Sequence, residues 1–294
     1  MTRSRRTGSR QFDFSRRVAV MAVINRTPDS FYDKGATFAL DRAVERALRA
    51  ADLGADWVDI GGVPFGRGSA VSTAQEIDRV VPLVEAITAA RPELVISVDT
   101  NRADVAERAI AAGAAVVNDT SGLGDERMAE VVAASGAHIV ITHSVGPPRV
   151  EKPPARYGDL VAEVRAFLAE RMARAQAAGI PAERLIVDPG HDLDKNTLHS
   201  LELTRRIGEI ADLGAPLLVA VSNKDFIGET LDRPQGERLP GSLAAMIACV
   251  LAGARIVRMH DVAETVDAVR MIEAILGWRP PVRLEHNTHP TGNV

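Results

Sequence analysis

The sequence predicts an α/β fold, specifically a (β/α)8 barrel, and three observations carry that expectation. Eight short apolar runs of β-branched character recur along the 294 residues. Each is followed by a polar cluster and then by a segment with apolar residues at three- and four-residue spacing. Several of those segments end in glycine just before the next run (Gly54, Gly113, Gly136, Gly179, Gly214 and Gly253), where a helix takes a left-handed cap. Eight strand–helix units in a chain of this length close into one barrel, which typically needs about 250 residues.

The runs are 17–24, 57–60, 94–98, 114–117, 137–142, 185–187, 217–221 and 255–259. They are continuously apolar rather than alternating, as a parallel strand buried on both faces requires. Helices are expected over 39–53, 76–87, 103–112, 127–134, 160–178, 198–213, 243–251 and 263–275. In the first of them Leu40, Ala43, Val44, Ala47 and Leu48 share one face. The expected organisation is a basic flexible tail over 1–16, one barrel over 17–278 and a C-terminal tail over 279–294. The first seventeen residues hold six Arg and one Asp. Ser15-Arg16-Arg17-Val18 looks like a twin-arginine signal, but the apolar run after it stops at Asn25-Arg26-Thr27-Pro28-Asp29 without a cleavage-like sequence. The proline-rich stretch 147–154 is expected to be a long surface loop.

Composition narrows the function. Apolar residues make up 46% and charged residues 25%, which excludes a disordered chain. The 35 basic and 39 acidic residues give a net charge of −4, so no basic field points to nucleic acid. Aromatics are too few for base-stacking platforms: two Trp, two Tyr and seven Phe. One cysteine, Cys249, rules out an intrachain disulfide and an all-cysteine metal site. No run of about 18 apolar residues suggests a membrane span. A cytoplasmic protein is expected.

Polar residues close every run: Asn25, Asp59, Asp99, Asn118 with Asp119, His143, Asp188, Ser222 with Lys224, and Arg258 with His260. A barrel builds its active site at that face. Singly, each of these is most simply a helix cap. Together they suggest a bowl for a small polar heterocycle beside an anion. Other motifs fail. Gly61–Gly68 has P-loop spacing but carries Arg67 and Gly68 where Lys and Ser or Thr belong. Asp192-Leu193-Asp194 opens like a calcium loop but lacks its Gly and its closing Glu. His191 and His199 have no zinc spacing, and Cys249 sits on an apolar helix face.

The ordered motifs resemble the dihydropteroate synthase family of pterin-binding barrel enzymes, over about Val18 to Leu276. Met21-Ala-Val-Ile-Asn25-Arg-Thr-Pro28-Asp29-Ser30-Phe31 is similar to the family's opening strand and loop. Ser97-Val-Asp99-Thr100, Asn118-Asp119-Thr-Ser-Gly122 and Asp188-Pro189-Gly190 with Lys195-Asn196 resemble later strand ends. So do Ser222-Asn-Lys224-Asp-Phe226-Ile227-Gly228 and Arg258-Met-His260-Asp261. The resemblance implies displacement of diphosphate from 6-hydroxymethyl-7,8-dihydropterin diphosphate by the amine of p-aminobenzoate. It assigns Asp99, Asn118, Asp188 and Lys224 to the pterin edge, with Asp99 and Lys224 catalytic. Ionised Asp99 and Asp188 would stabilise positive charge on the ring as diphosphate leaves. Asn25, Arg258 and His260 match the diphosphate site, with Asn25 as the protein ligand of Mg²⁺. A homodimer is implied as well.

Three departures fall on the amine side. The family's Gly-Gly-Glu-Ser-Thr-Arg-Pro-Gly loop is replaced by Gly61-Gly62-Val63-Pro64-Phe65-Gly66-Arg67-Gly68, and Arg67 serves only if the register slips. Asn223 and Asp225 replace an Arg and a Ser. Asp192-Leu193-Asp194 replaces Gly-Phe-Gly, removing a ring and adding carboxylates that would repel the p-aminobenzoate carboxylate. This pattern looks like the diverged second synthase-like copy of actinobacteria. It implies weak or absent p-aminobenzoate activity. The alternatives are a non-catalytic pterin- or ligand-binding paralogue, a transferase using another amine, and, more distantly, a methyltetrahydrofolate-binding methyltransferase domain.

Overall fold

The computed structural model describes residues 4–25, 36–64, 70–146 and 156–287. Eight parallel strands form the barrel: β3 (Ala19–Asn25), β4 (Trp57–Gly61), β5 (Val95–Asp99), β6 (Val116–Asp119), β7 (His138–Thr142), β8 (Leu185–Asp188), β9 (Leu218–Val219) and β10 (Ile256–Met259). They run in the order β8-β7-β6-β5-β4-β3-β10-β9, and a parallel bridge from Val187 to Leu217 joins the two ends. Helices between them face outward, from α1 (Ala36–Asp52), α2 (Thr73–Ala90), α3 (Ala103–Ala111), α4 (Met128–Ala133) and α5 (Leu160–Ala177) to α10 (Val262–Ile275). Each of the eight predicted runs overlaps a strand, so the barrel is as expected.

Two details differ in the helices. The helix expected over 198–213 is two, α6 (Thr197–Arg205) and α7 (Gly208–Ala211), broken where Arg206 turns to pair with Asp159, Glu202 and Glu209. An unexpected short helix, α8 (Asp225–Leu231), precedes α9 (Leu239–Leu251) and ends in left-handed Asp232.

The flexible-tail expectation is corrected over most of its length. Two short strands, β1 (Ser4–Thr7) and β2 (Arg10–Asp13), form an antiparallel hairpin about Gly8, whose φ of 58° a side chain would strain. Phe12 and Phe14 alternate along its second arm and its continuation, and both rings enter the barrel floor. Arg5 donates to the carbonyls of Ala182, Glu183 and Leu185, tying the hairpin to the loop before β8. Charge suggested solvent; the two buried rings decide otherwise. At the other end, Arg279–Asn287 carry no helix or strand, and 288–294 lie outside the described residues.

Strand periodicity places the site. Side chains two residues apart share a face. The floor of the barrel interior is Ala19, Met21, Trp57, Val95, Val116, Val140, Ile186, Leu218 and Ile256, all buried and apolar. One step up, the same face carries Asp59, Ser97, Asn118, Thr142, Asp188 and Arg258; another step brings Asn25, Asp99 and His260 to the rim. The intervening residues, such as Val58, Ile60, Val98, Val117, Ile141 and Val257, point outward into the core shared with the helices. The interior therefore changes from apolar to polar within two residues.

Candidate functional site: a polar bowl at the barrel mouth

Asp59 is the best-connected group in the middle layer. Its carboxylate is fully buried and accepts from Ser97 Oγ at 2.6 Å, Asn118 Nδ2 at 3.0 Å and Arg258 Nε at 2.6 Å. Arg258 reaches on with Nη2 to Asp99 Oδ2 at 3.1 Å. Asp99 pairs with Asn118 in strand register, so the two stand side by side at the bowl. Burial raises the Asp99 pKa to about 7, against the pull of Arg258, and the neighbouring Asp59 adds to the rise.

Across the bowl, Asp188 ends β8, and the Gly190 amide donates to its Oδ1 at 2.7 Å. Burial raises this carboxyl too, opposed by that hydrogen bond and by Lys224, Arg258 and Lys195. Lys224 caps α8; burial lowers its pKa, while Asp192, Asp188 and Asp99 favour its charge. Asp99, Asn118, Asp188 and Lys224 are therefore gathered at one mouth, with Arg258 among them. His260, at the next rim position, is bonded through Nδ1 to Ser222 Oγ at 3.0 Å. Loss of solvent, then Arg258, Lys224 and Arg46, push its pKa down to about 4. At neutral pH it is an uncharged ring among cations. Asn25 ends β3, the strand beside β10, with Oδ1 lying 3.3 Å from where a Cβ on Gly61 would stand.

The partners of several residues in and beneath the bowl are visible only in the fold. Asp59 was one strand-end carboxylate among many; only its partners, from three other strands, single it out. Thr142 Oγ1 and Asn118 Oδ1 are buried in the middle layer with no hydrogen-bond partner among the described residues. Buried polar atoms are rarely left so. Lys195 is buried beneath the Asp188-Pro189-Gly190 turn and donates to His143 Nδ1 at 2.9 Å, Gly190 O at 3.0 Å and Leu193 O at 2.9 Å. Burial lowers Lys195 to about 7 and, with Lys195 beside it, His143 to about 3. Asp119, by contrast, points away from the bowl and accepts from the Ser121 and Leu123 amides.

The amine-side substitutions have structural partners. Asp192, Asp194 and Asn223 have φ of 62°, 54° and 60°. Two of these positions hold glycine in the resembled motif, and Asp tolerates the left-handed region better than most residues. Asp192 accepts from Ser200 Oγ at 3.0 Å and from the Asp225 amide at 2.6 Å, clasping the β8 loop to α8. Asp194 accepts from the Val145 amide at 2.6 Å, and Asp225 pairs with Arg238 at 2.9 Å. These carboxylates are engaged in loop contacts. Arg67 lies outside the described residues, as does the loop from Arg26.

The decoys stay silent. Cys249 is buried, and burial pushes its thiol up to about 12. Among the described residues no group of three His, Cys, Asp or Glu could hold a metal, and no helix is long and apolar enough to cross a membrane.

Comparison with known proteins points the same way. A family described as pterin binding enzyme matches residues 21–260. The inactive dihydropteroate synthase 2 of Mycobacterium tuberculosis is 46% identical over 272 residues, spanning 91% of this chain and 86% of that protein. The dihydropteroate synthase of Escherichia coli K12 is 40% identical over 267 residues, 90% of this chain and 94% of that one. The Xanthomonas albilineans dihydropteroate synthase solved with 4-aminobenzoic acid superposes with a TM-score of 0.87 at 36% identity, covering 94% of this chain and 99% of that one.

Proposed function

Because this chain belongs to the dihydropteroate synthase family of pterin-binding enzymes, we propose that it binds a pterin in the bowl but condenses it poorly, or not at all, with p-aminobenzoate. One observation carries the reading. Asp59, Asn118, Arg258 and Asp99 are joined in one hydrogen-bonded set, whereas the substituted residues at 192, 194, 223 and 225 all lie in the segments that follow β8 and β9.

Asp99, Asn118, Asp188 and Lys224 bind the pterin edge. Such an edge presents a fixed row of donors and acceptors, which two carboxyls, an amide and an ammonium can match one for one. Asp99 and Lys224 act nearest the reacting carbon. Asp99 and Asp188, when ionised, stabilise the positive charge that spreads onto the ring as diphosphate departs. Arg258 supplies a cation for the leaving diphosphate, and neutral His260 supplies a ring N–H. As an anion arrives, His260 becomes easier to protonate, since a nearby negative charge favours its charged form.

Mg²⁺ fits the donor set in a limited way. The described residues offer no all-protein cage, but Mg²⁺ is commonly held by one or two protein oxygens together with substrate phosphates and water. Asn25 Oδ1, beside side-chain-free Gly61, would be that protein oxygen. The ion would neutralise developing charge on the diphosphate.

On the amine side, Asn223 offers no cation. The nearby Arg238 guanidinium is committed to Asp225 and to the carbonyls of Asn223 and Arg233. A p-aminobenzoate carboxylate has lost its charged partner there. Leu251, Met271 and Ile275, exposed on α9 and α10, provide the apolar face for a homodimer. Calorimetry with 6-hydroxymethylpterin tests the pterin half. Binding that is lost in Asp188→Ala is expected, and equal affinity in that variant would refute it.

A further inference from the structure

We propose that Asp59 is a positioning residue that sets which ligand edge the bowl accepts. A carboxylate paired with arginine can only accept hydrogen bonds. The Asn118 group facing it at 3.0 Å must therefore be the NH₂. That choice turns Asn118 Oδ1 the other way, where it is buried and has no partner among the described residues. The same Asp59 oxygen holds Arg258 by Nε, and Nη2 donates to Asp99. The guanidinium keeps both Nη1 hydrogens and one Nη2 hydrogen to offer, on a side chain 18% exposed. Ser97 Oγ fixes the other Asp59 oxygen, so the carboxylate cannot rotate without losing a bond.

One buried carboxylate thus fixes an acceptor, Asn118 Oδ1, and a donor, Arg258 Nη1, in the same bowl. A heterocycle presenting an N–H to the Asn118 oxygen is welcome. One presenting a carbonyl there meets acceptor against acceptor, an arrangement that polar sites reject strongly. Asp59 itself is fully buried and acts through Asn118 and Arg258. The geometry is independent of ligand identity, but the choice of probe rests on the pterin reading above.

The test compares wild type, Asp59→Asn and Ser97→Ala. Affinities are measured for 6-hydroxymethylpterin and for 6-hydroxymethyllumazine, which carries a carbonyl in place of the pterin amino group. In folded Asp59→Asn, the pterin should bind at least about tenfold more weakly, and the pterin-to-lumazine preference should shrink, because the amide is free to turn. Unchanged affinity and preference would overturn the proposal. So would weaker binding of both ligands with the preference intact, the signature of a merely structural role. Should Asp59→Asn fail to fold, Ser97→Ala loosens the same carboxylate and must reduce the preference in the same sense; an unaltered preference overturns the proposal. If wild type binds neither compound, the pterin reading fails by itself. The Asn118 side-chain NH₂ signal of the ligand-free protein then decides. Slow hydrogen exchange in wild type and fast exchange in the variants supports the clamp, and equal exchange refutes it.

Discussion

Replacing Phe12 with alanine should destabilise this protein from the end opposite its site. The Phe12 ring is fully buried, stacks on Phe14 at a centroid distance of 5.7 Å and meets Trp57 edge-on at 5.6 Å. Guanidinium groups of Arg10 and Arg17 lie 5.2 and 5.3 Å from its centroid. Truncating a buried phenylalanine costs about 3–5 kcal/mol, a range that already contains the ring contacts and the cavity left behind. Because the hairpin is short, part of the cavity can collapse, and the lower half of that range is expected. For a chain of this size each kcal/mol lowers the melting temperature by about 2–4 °C, so Phe12→Ala should melt about 6–16 °C early. Gln11→Ala, an exposed control on the same arm, should stay within about 0.5 kcal/mol of wild type. Urea denaturation and calorimetric melting read both. A Phe12→Ala protein melting within about 2 °C of wild type would mean that the hairpin does not plug the floor.

Three further outcomes are expected. Gly190→Ala should abolish pterin binding and lower stability, because its φ is +70° and a Cβ would stand 2.1 Å from the His143 carbonyl oxygen; a soluble variant with normal affinity by calorimetry contradicts this. His191 is buried, its Nδ1 has no partner among the described residues, and burial with Lys195 and Lys224 pushes its pKa down to about 3. The unfolded chain binds that proton below about pH 6.5 and the folded chain refuses it, so this group costs stability as pH falls from there towards 3. His191→Phe should therefore gain on wild type by about 1.4 kcal/mol per pH unit of acidification within that window, read by urea denaturation at pH 7 and 5; parallel pH curves would contradict it. Inorganic diphosphate should bind at the bowl, and His260→Ala should weaken it about two- to tenfold, the worth of one hydrogen bond; equal affinity in the variant refutes the anion site.

The barrel was legible because both-face burial leaves a simple mark: eight continuous apolar runs, each ending in a polar residue. Strand periodicity then carries Asp99, Asn118, Asp188 and Arg258 to one mouth without further information. What the sequence concealed depends on partners far along the chain. Asp59 becomes a hub only through Ser97, Asn118 and Arg258, which lie 38, 59 and 199 residues away. Asp119 looked equivalent to Asn118, yet a strand turns adjacent side chains to opposite faces, and Asp119 serves its own loop. Asp192 and Asp194 read as added negative charge, and only the fold supplies the amides they accept from. The hairpin did leave a signal that six arginines outweighed. Gly8 sits between two short stretches, and Phe12 and Phe14 alternate after it, as a strand with one buried face requires.

A pterin site without a working amine site can be tested in both halves by one experiment. Protein incubated with 6-hydroxymethyl-7,8-dihydropterin diphosphate and Mg²⁺ is assayed for bound pterin and, after p-aminobenzoate is added, for dihydropteroate and released diphosphate. Loss of one charge-assisted contact to the amine substrate corresponds to about 10–150-fold in rate. Stoichiometric pterin binding is therefore expected, with dihydropteroate formed at least about tenfold more slowly than by the Escherichia coli relative under the same conditions. Turnover matching that relative, or no pterin bound at all, would rule out a pterin site that has lost its amine partner.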